Sequence, residues 1–415
     1  YANWQTDPLA NPNGYYNPWY QNPYFTADNN RSIQRNDYLV ANLELRFTPI
    51  QGLDLVARQG ITTRNYSNKN SVGEFKFTDY AKHTDQSSKS DISASVSDGS
   101  NYRTQLLSDL FAQYQKSIKS FSVNAIIGGQ WTQNEAKFVS VGANGLVVPT
   151  LFNVSNGVGT PSVGESNFKA RQIGAYADLR IGYKNFIYLH GTSRNDWVSI
   201  LSEANRSFFY PSVDLSLIAT DAIPALQGND ILSYLKLRAG WSKVGQVNLG
   251  GTYGAYQLVP TISPAGGYGF PYGSLPGYTV DNTLVSPNLE PEITKGWEAG
   301  FDLNLIKDRV VSTFTWFKTK TDNQTVTTSV SSATGFTGLR TNTGQTQSSG
   351  IETAIHGTLV KNKSWSVIVG GNYAYLDNKV NYISTSLPRI PLATYGSTAG
   401  SYAVASQVFP VIMGY

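Results

Sequence analysis

Side chains that could carry out catalysis or bind a metal are few and scattered in this sequence of 415 residues. There is no cysteine, which excludes disulfides, thiol catalysis and thiolate metal sites. The three histidines, His83, His190 and His356, lie far apart, and none has a metal-ligand spacing. Glu290 and Glu292 flank a proline, and paired carboxylates can cleave glycosidic bonds, but a turn before a strand explains this pair better. We therefore predict that the protein is not an enzyme.

Cofactor signatures are equally scarce. Asp28, Asp37 and Asp281 have oxygen ligands that suit Ca²⁺, but no twelve-residue calcium-loop pattern surrounds them. The glycine-rich stretch 266–277 lacks the Lys-Ser/Thr pair that follows a phosphate-binding loop. We predict no cofactor, and Ca²⁺ stays open without a supporting motif.

Aromatic side chains are abundant, with 26 Tyr, 18 Phe and 8 Trp. Many lie in polar or Gly/Pro-rich segments of the kind that form loops. There they could contact a bound ligand, or they could pack the loops together. The candidate substrate contacts are Trp19, Tyr20, Tyr253, Tyr256, Tyr268, Phe270 and Tyr272.

The composition suits a protein with one apolar and one polar face on each strand. Charged residues make up 14%, against roughly 25% in typical soluble domains, while the hydrophobic share is 40%. The net charge of +4 is spread without a basic block, so nothing indicates nucleic-acid binding. No apolar run approaches the roughly 18 residues of a membrane-spanning helix, which excludes a helical membrane protein.

Alternation with a period of two residues is the dominant pattern. In 235–241, for example, Leu235, Leu237 and Trp241 share one face, while Lys236 and Arg238 share the other. We predict twelve strands with this pattern, at 39–47, 53–61, 106–114, 121–131, 175–183, 186–192, 209–217, 235–241, 297–305, 310–317, 351–359 and 365–375.

The links between these strands alternate between short polar turns and longer segments, and two of the links, near 194–207 and 219–233, are of intermediate length. The long links run over roughly 62–104, 132–168, 247–293 and 320–348. Sorting of short and long links to opposite ends is typical of a transmembrane antiparallel β-barrel with short periplasmic turns and long extracellular loops. A β-sandwich does not sort its connections in this way. On this interpretation residues 1–37 and 378–415 both lie outside the cell, so we expect an interior piece of a longer barrel, with strands missing at both ends.

Five tryptophans lie near the ends of predicted strands, where a membrane-rim anchor is the simplest explanation. They are Trp131, Trp197, Trp241, Trp297 and Trp365.

Several stretches between residues 20 and 380 resemble the SusC/RagA class of TonB-dependent outer-membrane transporters. They are Asn22-Pro23-Tyr24-Phe25, Arg194-Asn195-Asp196-Trp197, Asn205 to Val213, Leu235 to Trp241, Ser286 to Glu292, Trp297-Glu298-Ala299-Gly300 and Gly350-Ile351-Glu352. Each stretch is weak alone, and their order and spacing carry the resemblance.

The resemblance implies a 22-stranded barrel with a plugged lumen, of which residues 1–415 would be the central part. It implies active import of a large nutrient, an oligosaccharide or a peptide, across the outer membrane of a Gram-negative bacterium. The expected partners are a SusD-like surface lipoprotein, which would cover the loop aromatics, the TonB–ExbB–ExbD complex and outer-membrane lipid, but not nucleic acid. The plug and the TonB-contacting segment are not in this sequence. A passive porin-like channel, a surface adhesin and a soluble secreted β-rich binding protein are the alternatives.

Overall fold

The computed structural model describes residues 13, 18–83, 89–247, 258, 262–264, 275, 277–280, 282–383, 389–396 and 398–414. Most of them lie in strands. In chain order the strands are β1 (Arg31–Ile50), β2 (Leu53–Val72), β3 (Ser95–Ile118), β4 (Phe121–Asn144), β5 (Ser162–Tyr183), β6 (Ile187–Val198), β7 (Ser207–Ile218), β8 (Leu232–Gln246), β9 (Ile262–Pro264), β10 (Tyr278–Val280), β11 (Thr283–Val285), β12 (Glu292–Leu305), β13 (Val310–Asp322), β14 (Thr325–Ser329), β15 (Gly338–Asn342), β16 (Gln345–Lys361), β17 (Ser366–Tyr382), β18 (Arg389–Tyr395), β19 (Ala399–Val404) and β20 (Val411–Gly414).

Helices are few and short among the described residues. They are α1 (Pro23–Asn29), α2 (Asp79–His83) and α3 (Ala219–Ala222), with 3₁₀ turns at Val154–Asn156, Pro224–Leu226 and Ser332–Thr334. In this part of the chain, no helix has the length and apolar character needed to span a membrane.

Twelve strands form one antiparallel sheet in the order β1-β2-β3-β4-β5-β6-β7-β8-β12-β13-β16-β17. Each strand therefore pairs with the next long strand along the chain. Ten of the twelve predicted segments fall within these strands, and the other two, 186–192 and 365–375, begin one residue before β6 and β17, so the all-β meander is confirmed. The short strands form three small sheets. Two lie in long links, β10-β9 and β11-β15-β14, and the third, β18-β19-β20, follows β17.

The first five strands are longer than the alternation predicts. β3 and β4 contain 24 residues each, so the links beside them shrink to 73–94 and 145–161. Polar residues continue these strands beyond the alternating segments, because the hydrogen bonds of a sheet need only a neighbouring strand. Alternation of apolar and polar residues therefore predicts only the part of each strand that has one apolar face, and not its polar extension.

The chain divides into two compact units. The first comprises residues 1–43, 60–107 and 133–169, and the second comprises residues 44–59, 108–132 and 170–415. The first unit contains α1, α2 and the long-loop parts of β1 to β5. The second unit contains the short turns and β6 to β20.

The first unit has a small aromatic core. Phe25 of α1 meets Phe75 with ring centroids 5.3 Å apart, and Phe75 meets Phe77 edge-on at 4.8 Å. Ala81 of α2 is fully buried in the same cluster, and Ile92 packs against it. This core holds the link between β2 and β3 against α1.

In the second unit one face of the sheet is apolar yet exposed. The register places Trp297 opposite Trp241 and Phe301 opposite Leu237, and on the other side of β8 it places Leu217 opposite Leu237. Leu237 is 43% exposed and Trp297 is 59% exposed. A continuous apolar face that remains exposed after folding suits contact with lipid. The predicted apolar stripe is confirmed on these strands.

The short turns lie side by side at one end of the second unit. The Lys184 amide of the β5–β6 turn donates to the Ser120 carbonyl of the β3–β4 turn at 2.7 Å. Similarly, the Ile306 amide of the β12–β13 turn donates to the Ile231 carbonyl before β8 at 2.7 Å. The predicted sorting of short links to one end is therefore confirmed.

Candidate functional site on the polar face of the sheet

The face opposite the apolar one carries charged side chains that form ion pairs between neighbouring strands and within one strand. Residues between the apolar positions point to the other side of a strand, so their charges gather on this second face. Ion pairs on this face of the second unit are Arg46–Asp54, Arg58–Glu44, Arg194–Asp196 and Arg238–Asp302.

Arg194 and Asp196, two residues apart on β6, form the most buried of these pairs. Arg194 Nε donates to Asp196 Oδ1 at 2.9 Å, and Arg194 Nη2 donates to Gln130 Oε1 at 3.0 Å. The hydroxyl of Tyr210 on β7 donates to the other Asp196 oxygen. Asp196 is only 2% exposed, and a buried carboxylate is tolerated when cations and donors satisfy its oxygens.

A glycine provides the room for this arrangement. Gly174 of β5 lies opposite Asp196, and a Cβ at position 174 would collide with the Arg194 guanidinium and the Asp196 carboxylate. The guanidinium carbon also lies 5.7 Å from the ring centroid of Tyr176, whose hydroxyl donates to Asp109 at 2.7 Å. Five neighbouring strands, β3 to β7, thus contribute to one polar cluster.

A cavity of about 260 Å³ opens beside this cluster. Its lining residues are Gln172, Arg194, Asp196, Val198, Phe208, Tyr210, Gly245, Gln246 and Val247. The rings of Phe208 and Tyr210 are stacked, with centroids 5.8 Å apart and planes at 25°. Ring faces beside a guanidinium and amides can bind a ligand rich in hydroxyl or amide groups by stacking and hydrogen bonding.

A second polar cluster centres on His190 of β6. Its Nε2 lies 2.9 Å from Asp178 Oδ2 and its Nδ1 lies 2.7 Å from Asp214 Oδ2. Carboxylate oxygens are acceptors, so both contacts are hydrogen bonds when both ring nitrogens carry a proton. Among the described residues, no group of His, Asp and Glu side chains has an arrangement that could hold a metal ion.

A third polar cluster surrounds Arg238 of β8. Its guanidinium lies 3.7 Å from Glu298 and 3.9 Å from Asp302, both on β12, and donates to Thr315 Oγ1 of β13 at 2.5 Å. Gly300 leaves space for this guanidinium, as Gly174 does for Arg194. The predicted separation of Arg238 from the apolar stripe is confirmed, and Glu298 and Asp302 lie with it on the polar face.

Comparison with known proteins identifies the family. A family model described as "TonB dependent receptor-like, beta-barrel" matches residues 1–407. The chain belongs to the TonB-dependent receptor β-barrel family. Its twelve antiparallel strands are therefore part of an outer-membrane β-barrel, and its exposed apolar face is the lipid-facing one. TonB-dependent receptors are transporters rather than enzymes.

Individual TonB-dependent receptors and their structures agree with this assignment. TonB-dependent receptor SusC of Bacteroides thetaiotaomicron is 24% identical over 298 residues, which cover 69% of this chain and 28% of that protein. TonB-dependent receptor P26 of Formosa agariphila is 23% identical over 258 residues, covering 61% of this chain and 25% of that protein. The structure of the RagAB peptide transporter superimposes with a TM-score of 0.78 and 17% identity, covering 93% of this chain and 40% of that one. The chain thus spans about a quarter of the length of these curated relatives, and the resemblance to SusC/RagA receptors is confirmed.

Two of the seven predicted substrate contacts lie in the described part of this receptor chain. Trp19 packs against Tyr80, with ring centroids 5.7 Å apart, and Tyr20 is 59% exposed. The other five lie outside the described residues, namely Tyr253, Tyr256, Tyr268, Phe270 and Tyr272. The Trp19–Tyr80 contact connects the chain before α1 to α2.

The loop that bears Tyr80 is stabilised by a carboxylate. Asp91 accepts from Lys82 Nζ at 2.9 Å and from the Phe77 amide at 2.8 Å. The Lys82 ammonium, and after it the Phe77 amide, hold the pKa of Asp91 below its usual value. The loop that bears Tyr80 is therefore held by hydrogen bonds as well as by apolar packing.

The five predicted rim tryptophans differ in position. Trp197 lies one residue before the end of β6, and Trp365 immediately precedes β17 at the short-turn end. Trp241 and Trp297 face each other on β8 and β12, with ring centroids 6.3 Å apart. Trp131 lies in the middle of β4 because that strand extends well beyond the predicted segment. Rim anchoring remains a prediction for all five.

Sequence reasoning missed most of the polar clusters. Tyr210, Gly174 and His190 carry no motif that relates them, because their contacts cross strands that are distant in the sequence. The signal in the sequence was the two-residue alternation. Tyr210 follows the exposed Phe209, and Gly174 lies between Ile173 and Ala175. Both residues therefore had to be on the polar face.

Proposed function

We propose that this receptor barrel takes part in the active import of a large nutrient, an oligosaccharide or a peptide, across the outer membrane. In this proposal the import is energised through the TonB–ExbB–ExbD complex, and a SusD-like surface lipoprotein covers the long-loop end. The same proposal assigns no catalytic step and no cofactor to the chain.

The observation that carries the proposal is the contrast between the two faces of the sheet. One face is apolar and exposed, while the other bears the buried Arg194–Asp196 pair and a cavity lined by Phe208, Tyr210 and Gln246. A barrel wall with a lipid-facing outside and a polar inside suits passage of a hydrophilic solute. The cavity offers such a solute stacking surfaces and hydrogen-bonding groups in the wall itself.

The names of the relatives support TonB-dependent transport. SusC and P26 are both named TonB-dependent receptors. The RagAB structure, which superimposes on this chain, is named a peptide transporter. We carry the TonB dependence and the paired lipoprotein to this chain as part of the proposal. The choice between oligosaccharide and peptide stays open in it.

The loop aromatics are proposed as contacts for the solute or for the covering lipoprotein. Tyr20 supports this assignment because it is exposed, and Trp19 supports it because its contact with Tyr80 fixes an aromatic surface on the long-loop side of α1. The assignment extends to five further aromatics in the long link after β8, Tyr253, Tyr256, Tyr268, Phe270 and Tyr272.

We also propose that residues 1–415 form the central part of a larger barrel. The sheet ends in two edge strands, β1 and β17, and all twenty residues of β1 are exposed. An open edge in the hydrocarbon region of a bilayer leaves backbone groups without hydrogen bonds, which is costly. Strands from the rest of a longer polypeptide would satisfy both edges.

Growth of the source bacterium tests the import proposal. We expect deletion of the gene to abolish growth on one class of large nutrient, defined oligosaccharides or defined peptides, while growth on the corresponding monomers is unchanged. Uptake by the wild type should stop when a protonophore removes the proton gradient. Uptake that persists under the protonophore would identify a passive channel, and unchanged growth on all large nutrients would favour an adhesin.

A further inference from the structure

The short-turn end of the barrel carries basic side chains without matching acids on two neighbouring turns. Lys116 and Lys119 belong to the β3–β4 hairpin, and Lys184 belongs to the β5–β6 turn. Residues 112–125 and 181–189 contain no Asp or Glu. All three lysines are exposed, and none forms an ion pair with any described residue. We call these three residues the turn lysines.

Backbone geometry holds the two turns together. The Lys184 amide donates to the Ser120 carbonyl at 2.7 Å, so the tips of the two hairpins are in direct contact. Lys119 and Lys184 both adopt left-handed backbone conformations, with φ of 53° and 49°. The two turns that carry the three lysines are therefore adjacent at this end of the barrel.

Aromatic rings lie directly beside these lysines on the apolar face. Phe121 and Tyr183 meet with ring centroids 4.9 Å apart, and Lys184 Nζ lies 5.4 Å from the Tyr183 centroid. Phe121 is 49% exposed and Ile118 is 51% exposed. Basic groups next to exposed aromatics at the edge of a lipid-facing surface mark the level of lipid headgroups.

From this geometry we propose that the turn lysines, with Phe121 and Tyr183, bind the headgroup of an anionic phospholipid, such as phosphatidylglycerol. The phosphodiester would accept hydrogen bonds from the ammonium groups, and the acyl chains would lie along the apolar face beside the two rings. Short barrel turns face the periplasm, so the lipid belongs to the inner leaflet of the outer membrane. The proposal rests on the outer-membrane placement of the barrel and not on what the receptor imports.

The turn between β12 and β13 provides a contrast at the same end of the molecule. Lys307 lies 3.2 Å from Asp230, and Asp308 lies between Lys307 and Arg309 in sequence. Local carboxylates offset these two basic charges. This turn therefore serves as an internal control. If any basic turn attracted anionic lipid, removing its charges would have the same effect as removing the turn lysines.

Lipid retention by the full-length receptor tests the site. The wild type and Lys119→Gln/Lys184→Gln are placed in nanodiscs of equimolar phosphatidylethanolamine and phosphatidylglycerol, and the lipids retained after partial delipidation are counted by native mass spectrometry. We expect phosphatidylglycerol to be enriched on the wild type. The double variant should lose about fivefold per lysine, the effect of one basic residue near an anionic surface. Lys307→Gln/Arg309→Gln, which loses the same charge, should retain the enrichment.

Two further measurements distinguish a loss of charge from a loss of folding, and binding of a lipid from binding of a free anion. Lys119→Arg/Lys184→Arg keeps the charge and should retain the enrichment, which shows that the turns tolerate substitution. Free glycerol phosphate should not displace the lipid, and displacement would assign the site to a soluble anion and overturn the proposal. Absence of enrichment on the wild type, or equal loss in the Gln variants of both turns, would also overturn it. The lipid measurement does not depend on import, so a failed import assay would not change its outcome.

Discussion

Gly174 and Arg194 occupy neighbouring strands, and the Arg194 guanidinium fills the space that a side chain at position 174 would need. This relationship places a cation inside the wall of the barrel, where it reaches Asp196 and Gln130 at once. Glycine is needed at this position for space, because the backbone conformation of the strand does not itself require glycine.

Gly174→Ala is expected to displace the Arg194 guanidinium and destabilise the folded barrel. The cost should be about 1–3 kcal/mol, the range for overpacking a filled site. Urea titration of the receptor in lipid vesicles measures it. Gly371→Ala is the matched control, because a Cβ at that position meets no atom within 4 Å. Equal stabilities of the two variants would contradict the steric role of Gly174.

Tyr210→Phe tests whether the buried carboxylate needs its second donor. The variant leaves one Asp196 oxygen without the Tyr210 hydroxyl, so we expect a loss of about 1–3 kcal/mol in the same titration. Tyr188→Phe removes a tyrosine hydroxyl whose partner is the exposed carbonyl of Asn185, and it should cost much less. A small effect of Tyr210→Phe would mean that Arg194 alone satisfies Asp196.

The lipid-facing side of the sheet predicts an asymmetric response to added charge. Leu237→Arg places a cation on the apolar face and should cost about 2–4 kcal/mol at mid-bilayer. Asn304→Arg places the same side chain on the polar face, where Asn304 now contacts Asp308, and it should be tolerated. Bilayer refolding measures both variants, and comparable losses would refute the assigned faces.

The loop that carries Tyr80 should loosen in acid. Because Lys82 and the Phe77 amide lower the pKa of folded Asp91, the carboxylate stabilises the loop above the ordinary aspartate pKa of about 4. That stabilisation should be lost as the pH falls through the lower folded value. Hydrogen exchange of the Phe77 amide, corrected for its intrinsic rate, should accelerate below about pH 4. Asp91→Asn should remove this pH dependence, and a wild-type rate that stays flat would exclude the mechanism.

Most of the large sheet could be predicted from the sequence because its strands meet two different environments. Leu237 and Phe301 lie opposite each other, and the alternation in each strand predicts an apolar face for both residues. The extended parts of β3 and β4 could not be predicted in this way. Their residues face no lipid, so no alternation accompanies the backbone pairing.

The candidate site was less accessible to sequence reasoning than the sheet. Arg194 and Asp196 belong to a stretch that resembles the SusC/RagA class, but their partners Gln130 and Tyr210 come from other strands. Such contacts depend on register, which is fixed by turn lengths and bulges across several hairpins. The aromatic core around Phe75 was missed because the loop residues that form it have no regular spacing.

The left-handed residues of the short turns have a consequence for how the barrel is assembled. Residues with positive φ, such as Lys119 and Asn185, allow tight hairpins whose twist matches that of the strands. The link from β8 to β12 instead runs over residues 247–291, and closing so long a loop costs roughly 2–3 kcal/mol more in chain entropy. Strand pairs joined by short turns should therefore form first. The long loops would close last, after the hairpins that they connect have formed.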